Sequence, residues 1–331
     1  MAAEAVLLTR AGLAKLLKQK GVWITIFAAV LFSCWIQWHS GTAQEGWRQS
    51  VQAAQSQLQE IRSGHGCQIV TGLPGQHCSA AQIAGVKQSA RSNLAQAMQF
   101  LRSGAAGFTV LGSIVVSLGL LGTGVGFILG VAIGAIAVET EMRSGGLKAT
   151  LLAAARRRLV LLTTAIACYL CAILGAVCNI AGVIGVSALQ SSARPLGVSA
   201  TTLSGAGSPS IWILFLATAV TPAVGIGVAL AAGFLGQSSL AAIGGVTALV
   251  VIDRLVAVMA TSIAPYTLIG TIGRLTDALG QSQLAAAGVT VRLWPAEIIN
   301  GGAIWGFLEA LAIAGCGLFI AAVSLQRREI R

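Results

Sequence analysis

The sequence predicts an all-α polytopic membrane protein with six transmembrane helices. Of its 331 residues, 56% are hydrophobic and 9% are charged, and the mean hydropathy is +0.83, which a soluble domain does not reach. Six apolar stretches can each cross a bilayer, because about 20 helical residues at 1.5 Å each cover a core of roughly 30 Å. The predicted spans are 22–38, 108–138, 159–189, 211–235, 240–264 and 303–325.

The distribution of basic residues orients these spans. If both termini are cytoplasmic, the inner segments hold 12 Lys and Arg in 51 residues and the outer segments hold 8 in 128. Basic residues concentrate on the cytoplasmic side, so this orientation in a bacterial plasma (inner) membrane is predicted. The net charge of +11 then reflects topology and contact with membrane lipids, and no nucleic-acid partner is expected. The inner segments are 1–21, 139–158, 236–239 and 326–331, and the outer segments are 39–107, 190–210 and 265–302.

The N-terminal segment 1–21 has a basic front that resembles a signal peptide. Trp35 and Trp38 at the end of the first span are typical of an interfacial belt rather than of a cleavage site. We therefore expect an interfacial helix on the inner membrane surface, followed by an uncleaved first span.

The outer segment 39–107 contains two stretches with apolar residues at helical spacing, joined by a turn-rich connector. An extracytoplasmic helical hairpin is predicted, with a disulfide between Cys67 and Cys78 near its tip. These two cysteines, with His65 and His77, are also metal-ligand types. Their spacing matches no usual zinc pattern, and an oxidising compartment favours the disulfide, so no metal is predicted.

The second span carries glycines at intervals of four, which place them on one face of a helix and allow close packing of another helix. The sequence does not reveal whether that neighbour belongs to the same chain. The four positions are Gly122, Gly126, Gly130 and Gly134.

Three charged residues fall within predicted spans: Asp253 and Arg254 in the fifth and Glu309 in the sixth. Charges inside a bilayer are costly and indicate either a functional site or a buried pair. The predicted depths of Arg254 and Glu309 differ by roughly 6 Å at a rise of 1.5 Å per residue, which an arginine side chain can bridge. We expect an Arg254–Glu309 ion pair, with contact to a substrate as the alternative.

The segment 139–158, between the second and third spans, has acidic residues at its front, leucines within it and arginines at its back. This order is typical of a short helix at the cytoplasmic surface. The segment 265–302 is too polar to span the membrane and too apolar to be solvated, so a re-entrant or interfacial element before the last span is predicted. No phosphate-binding G-x-x-x-x-G-K-[ST] loop and no hydrolase motif occur, which argues against an enzyme.

This arrangement resembles the membrane subunit of an ABC transporter, specifically the permease of ABC-2 type (type V) exporters, over all six spans. The most specific part of the resemblance is the loop 139–158. The sequence departs from the family pattern in two places: Ala153–Ala155 stand where relatives have a proline, and Thr163 or Thr164 stands near an expected lysine. The residues that stand at the positions of the family's loop motif are Glu141, Arg143, Gly145, Leu147, Leu151, Leu152 and Arg156–Arg158.

The resemblance implies that the segment 139–158 is a coupling helix that docks separate ABC ATPase subunits. Those subunits would bind ATP and Mg, and this chain would hold no cofactor. A second permease copy or a paralogue would complete a dimer, which would carry out efflux or export of a hydrophobic or amphipathic substrate such as a lipid, peptide or drug. The implied coupling residues are Glu139, Glu141, Arg143, Leu147, Leu151, Arg156, Arg157 and Arg158.

Two other functions remain open. A mechanotransmission subunit would pass ATPase motion to an extracytoplasmic partner and transport nothing, but such proteins usually have fewer spans and a larger outer domain. An ATP-independent secondary carrier usually has internal repeats and intramembrane acidic pairs, whereas this sequence has no repeat.

Overall fold

A computed structural model of the chain describes residues 2–63, 79–107, 110–122, 124–143, 157–193, 211–260 and 303–327, together with 262, 267, 268, 270 and 271. These residues are helical almost throughout and include no β-strand. The helices are α1 Ala2–Leu17, α2 Lys20–Arg62, α3 Ala80–Gly107, α4 Val110–Gly122, α5 Gly124–Arg143, α6 Arg157–Ala193, α7 Ile211–Gly236, α8 Ser239–Met259 and α9 Ala303–Arg327.

Six of the described helices are long and apolar enough to cross a membrane: α2, α5, α6, α7, α8 and α9. They occur in the order of the six predicted spans. The predicted helical class is therefore confirmed, and so is the prediction of six helices long and apolar enough to cross a membrane.

Helix α2 is much longer than the first predicted span. Its 43 residues continue past Trp38 without interruption to Arg62. Helix α3 packs against the C-terminal half of α2, with the small side chains of Ala54 and Ala97 buried. The first span and the first arm of the predicted hairpin are thus one helix.

The second span consists of two helices, α4 and α5. A Cβ atom at Gly126 would collide with the carbonyl oxygen of Leu121, so glycine is needed where the two helices meet. The carbonyl groups at the end of a helix lack partners within it. Thr221 of α7 compensates by donating its hydroxyl proton to the Gly122 carbonyl at 2.9 Å. Thr218, one turn earlier on α7, donates to the Leu118 carbonyl at 2.9 Å.

Helix α7 is the central helix of the membrane domain, packed between α5 and α9. A Cβ atom at Gly227 would lie 2.8 Å from the carbonyl oxygen of Ala314, and one at Gly317 would lie 2.6 Å from that of Gly227. Both distances are too short for a real Cβ contact. The backbones of α7 and α9 therefore touch through their glycines, as small residues allow in membrane helices.

Candidate functional site

The described part of the predicted coupling segment comprises the last turn of α5 and the first residues of α6. Glu139 is half-buried and Glu141 is 13% exposed. Arg143, Arg157 and Arg158 lie on the helix ends. Leu147, Leu151 and Arg156 lie outside the described residues. The structure thus describes the two ends of the segment and not its middle, residues 144–156.

Glu141 forms an ion pair with Lys15 of α1, with Nζ of Lys15 lying 2.8 Å from Oε1 of Glu141. The side chain of Lys15 is 31% exposed and that of Glu141 is 13% exposed, so the carboxylate is the partner better shielded from solvent. The other carboxylate oxygen, Oε2, is buried and has no hydrogen-bond partner among the described residues. The pair joins two parts of the chain that are 126 residues apart.

Helix α1 is also held by packing and by a side-chain hydrogen bond. Leu16 is buried in a cluster that includes Val138 of α5 and Leu161 of α6. The indole N–H of Trp23 donates to the carbonyl of Leu17 at 2.8 Å, which satisfies an end carbonyl of α1. Helix α1 therefore fastens the C-terminal end of α5 and the N-terminal end of α6 to each other.

The carboxylates of Asp253 and Glu309 contact a short segment that follows α8. Oδ1 of Asp253 accepts a hydrogen bond from the backbone N–H of Leu268 at 2.8 Å. Oε2 of Glu309 accepts one from the hydroxyl of Thr271 at 3.1 Å. Leu268 and Thr271 are 7% and 0% exposed, so this start of the predicted re-entrant segment is buried against the bundle.

The same segment has the hydrogen bonds of a capped helical turn. Oγ1 of Thr267 accepts from the N–H of Gly270 at 3.1 Å, and the carbonyl of Thr267 accepts from the N–H of Thr271 at 2.8 Å. N–H groups at the start of a helical turn have no partner within it, and a negative charge near them is favourable. Asp253 supplies both an acceptor and that charge.

Arg254 does not form the expected ion pair with Glu309. Its side chain is exposed, whereas the half-buried Glu309 accepts from Thr271. Neighbouring residues on a helix point about 100° apart, so Asp253 can face the bundle while Arg254 faces away from it. Helix α8 also ends at Met259, five residues before the predicted end of the span. Arg254 is consequently nearer the helix end than the sequence predicted.

The glycine face of the second span packs within this chain. A Cβ atom at Gly130 would collide with the carbonyl oxygen of Pro222, and one at Gly134 would lie 2.9 Å from Cβ of Ala229. Pro222 and Ala229 belong to α7. The structure therefore identifies α7 as the neighbour of this face.

Sequence analysis missed a polar stripe on α2, whose members are all buried. The amide Nε2 of Gln37 donates to Oγ of Ser187 at 2.8 Å, and that of Gln190 donates to the carbonyl of Trp38 at 2.9 Å. The helical spacing of these polar residues on α2 was the available signal. The stripe comprises Ser33, Gln37, Ser40 and Gln44.

Among the described residues, no three His, Cys, Asp or Glu side chains form a group that could hold a metal. Cys67, Cys78, His65 and His77 all lie outside the described residues, so the predicted disulfide stays a prediction.

No protein family matches this chain, and no curated protein or solved structure shows a significant similarity to it.

Proposed function

We propose that this chain is the permease subunit of an ATP-driven exporter of the ABC-2 type. Two permease copies, or this chain and a paralogue, form a dimer in the plasma membrane and dock separate ATPase subunits. The coupling helix within 139–158 receives the motion of those ATPases. The proposed substrate is hydrophobic or amphipathic, because a path between spans rich in Gly, Ala and Leu would suit such a molecule.

The Lys15–Glu141 ion pair is the observation that supports this proposal most. A segment can transmit force only if its ends are held rigidly. The pair, with the surrounding apolar cluster, fastens α1 to the helices on either side of the segment 139–158. Force applied there reaches α5 and α6 together, as expected for a two-state transition driven by a partner.

Glu141 has a more specific role in this mechanism than the family resemblance implies. Its carboxylate is mostly buried and paired within the chain, so it positions the segment instead of contacting an ATPase. The contact itself is assigned to Leu147, Leu151 and the arginines 156–158, which combine an apolar patch with strong hydrogen-bond donors.

The proposed dimer places α8 at or near the subunit interface. This helix is the least buried of the six candidate spans, and Leu240 and Met259 are 83% and 85% exposed. Arg254 is exposed on the same helix. A charge is costly against lipid, so a second subunit or a polar path is a more favourable neighbour for it.

The outer end of the proposed path is closed by the segment that Asp253 and Glu309 hold. Asp253 lies on α8 and Glu309 lies on α9, and both hold the same segment. A movement of α8 relative to α9 would therefore break at least one of these hydrogen bonds. We assign the segment beginning at Thr267 as the outer gate. Opening would require the loss of the Asp253–Leu268 or the Glu309–Thr271 contact.

The experiment that tests the proposal is copurification of an ATPase with the tagged permease, followed by ATP hydrolysis and export measurements. The double variant Leu147→Glu/Leu151→Glu places charges in the predicted apolar patch. We expect it to lower ATPase binding about tenfold or more, equivalent to ~1.4 kcal/mol, while the protein stays folded in the membrane.

Gln237→Glu is the matched control, because Gln237 is exposed in the turn between α7 and α8, on the same predicted side. It should bind and transport normally. Absence of any copurifying ATPase with the wild-type protein would overturn the proposal. Normal binding and export by the double variant would place the coupling site elsewhere.

The uninterrupted helix α2 favours mechanotransmission as a second candidate function. At 1.5 Å per residue, its 43 residues extend for about 65 Å from the membrane domain into the hairpin. A rigid helix of this kind can pass motion to an extracytoplasmic partner. Gly46→Pro breaks α2 above the membrane, because proline disrupts a helix interior. If the chain transmits motion, this variant should lose signalling to the partner; if the chain is an exporter, the variant should still export.

A further inference from the structure

A groove between α2 and α3 supports an inference about ligand binding. The groove has a volume of about 310 Å³ and is lined by residues of both helices. Sites for small molecules typically measure roughly 300–1,000 Å³. The groove is therefore large enough for a small ligand but too small for a helix of a partner protein.

The sequence of α2 builds one wall and part of the floor of this groove. Trp47, Ser50, Ala54 and Gln57 lie three and four residues apart, which places them on one helix face. Ala54 and Ala97 of α3 are 5% and 2% exposed, and their short side chains leave space beside the half-buried Trp47. The result is a depression bordered by an indole ring.

The polar groups of the groove are uncharged amides and one hydroxyl. Gln57, Asn93 and Gln96 are exposed, and each amide offers a carbonyl acceptor and an NH₂ donor. None of the described residues that line the groove is charged. The hairpin does carry charges elsewhere, including Arg48 and Lys87. The lining therefore suits a neutral ligand that both donates and accepts hydrogen bonds.

We propose that the groove binds a neutral saccharide. The apolar C–H face of a pyranose ring would lie against the indole of Trp47, because aromatic rings provide large, rigid apolar surfaces. Sugar hydroxyls are both donors and acceptors, and they would pair with the amides of Gln57, Asn93 and Gln96.

A peptide fits this groove less well than a saccharide does. One common way to bind an extended peptide is to add it as a strand to an exposed sheet edge, whereas backbone groups inside a helix are already paired. Recognition in this groove must come from side chains alone. The proposal concerns only the α2–α3 hairpin and does not depend on transport or on an ATPase.

The test uses the full-length protein in lauryldimethylamine oxide, a detergent without a sugar headgroup. Saturation-transfer NMR would measure binding of methyl β-glucoside, methyl α-mannoside and N-acetylglucosamine. We expect transfer to the ring protons of at least one of these sugars. Trp47→Leu should weaken that binding about tenfold or more, because it removes the aromatic face but keeps apolar bulk.

Two further variants separate recognition from folding. Trp47→Phe keeps an aromatic ring and should retain most of the affinity. Trp38→Leu is the matched control, since Trp38 is an exposed tryptophan of the same helix outside the groove, and it should bind like the wild type. Circular dichroism would verify that all variants keep the wild-type helix content.

Three results would overturn the proposal. The first is that none of the three sugars binds the wild-type protein. The second is that Trp47→Leu, folded as judged by circular dichroism, binds as well as the wild type. The third is displacement of the sugar by a neutral tripeptide at lower concentration, which would make the groove a peptide site.

Discussion

The carboxylate of Asp253 lies 2.8 Å from the backbone nitrogen of Leu268 and accepts its hydrogen bond. This contact joins α8 to the segment that follows it, and Glu309 of α9 holds the same segment through Thr271. Two carboxylates predicted to lie inside the membrane thus accept hydrogen bonds from the same short segment, one from the backbone N–H of Leu268 and one from the hydroxyl of Thr271.

Removal of the Asp253 acceptor should destabilise the protein. Asp253→Leu leaves the buried N–H of Leu268 without its partner, and an unsatisfied buried donor costs about 1–3 kcal/mol. Thr271→Val should lower stability by a similar amount, since the residue is fully buried. Thermal unfolding in detergent measures both. Arg254→Gln is the control, and a loss of stability there as large as in Asp253→Leu would contradict this assignment.

The two partners of the Lys15–Glu141 pair should respond unequally to mutation. Lys15→Ala strands a carboxylate that is 13% exposed, whereas Glu141→Ala leaves a lysine that is 31% exposed and can reach water. An uncompensated buried charge is the costlier of the two. We expect a loss of about 2–3 kcal/mol for Lys15→Ala and about 1 kcal/mol for Glu141→Ala, measured by thermal unfolding. Equal losses of stability in the two variants would mean that burial of the remaining charge does not determine how much each mutation destabilises the protein.

Alanine at Gly130 should be poorly tolerated. The added methyl group would meet the backbone of α7 at Pro222, and overpacking a tight interface costs about 1–3 kcal/mol. Gly85→Ala provides a matched control on helix α3, because nothing lies within 4 Å of the new Cβ. It should raise stability by about 0.5–1 kcal/mol through helix propensity. Similar effects at both sites would show that α5 and α7 do not touch there.

Replacement of Gln44 by leucine should stabilise the protein. Gln44 is 2% exposed, and neither polar atom of its amide has a hydrogen-bond partner in the described part of the chain. Loss of that unpaired group should add about 1–2 kcal/mol to the free energy of unfolding. Gln37→Leu, on the same face, should do the opposite, because Gln37 donates to Ser187. A destabilised Gln44→Leu would indicate that water or a ligand satisfies the amide.

The disulfide prediction can be tested chemically. Cys67 and Cys78 are expected to be linked, because they lie in a predicted extracytoplasmic, turn-rich connector. Mass mapping of the non-reduced protein should detect the linked peptide. Free thiols at both positions, or bound zinc in equal amount to protein, would reverse the preference for a disulfide over a metal site.

Three features could be predicted from the residues alone: the helical class, the six helices long and apolar enough to cross a membrane, and the packing of α3 against α2. These depend on local properties, since long apolar runs must form helices in a bilayer and helical spacing is visible along the chain. The glycine positions on the second span were also visible for this reason.

Only the assembled helices reveal which residues are partners. Lys15 and Glu141 are 126 residues apart, and no local pattern joins them. Asp253 and Glu309 were predicted to be charges inside the membrane, but the expected partner of Glu309, Arg254, is exposed on α8. Which side of a helix faces a neighbour depends on how the helices pack, and that depends on contacts such as Gly130 against Pro222 that form only when the whole bundle is assembled.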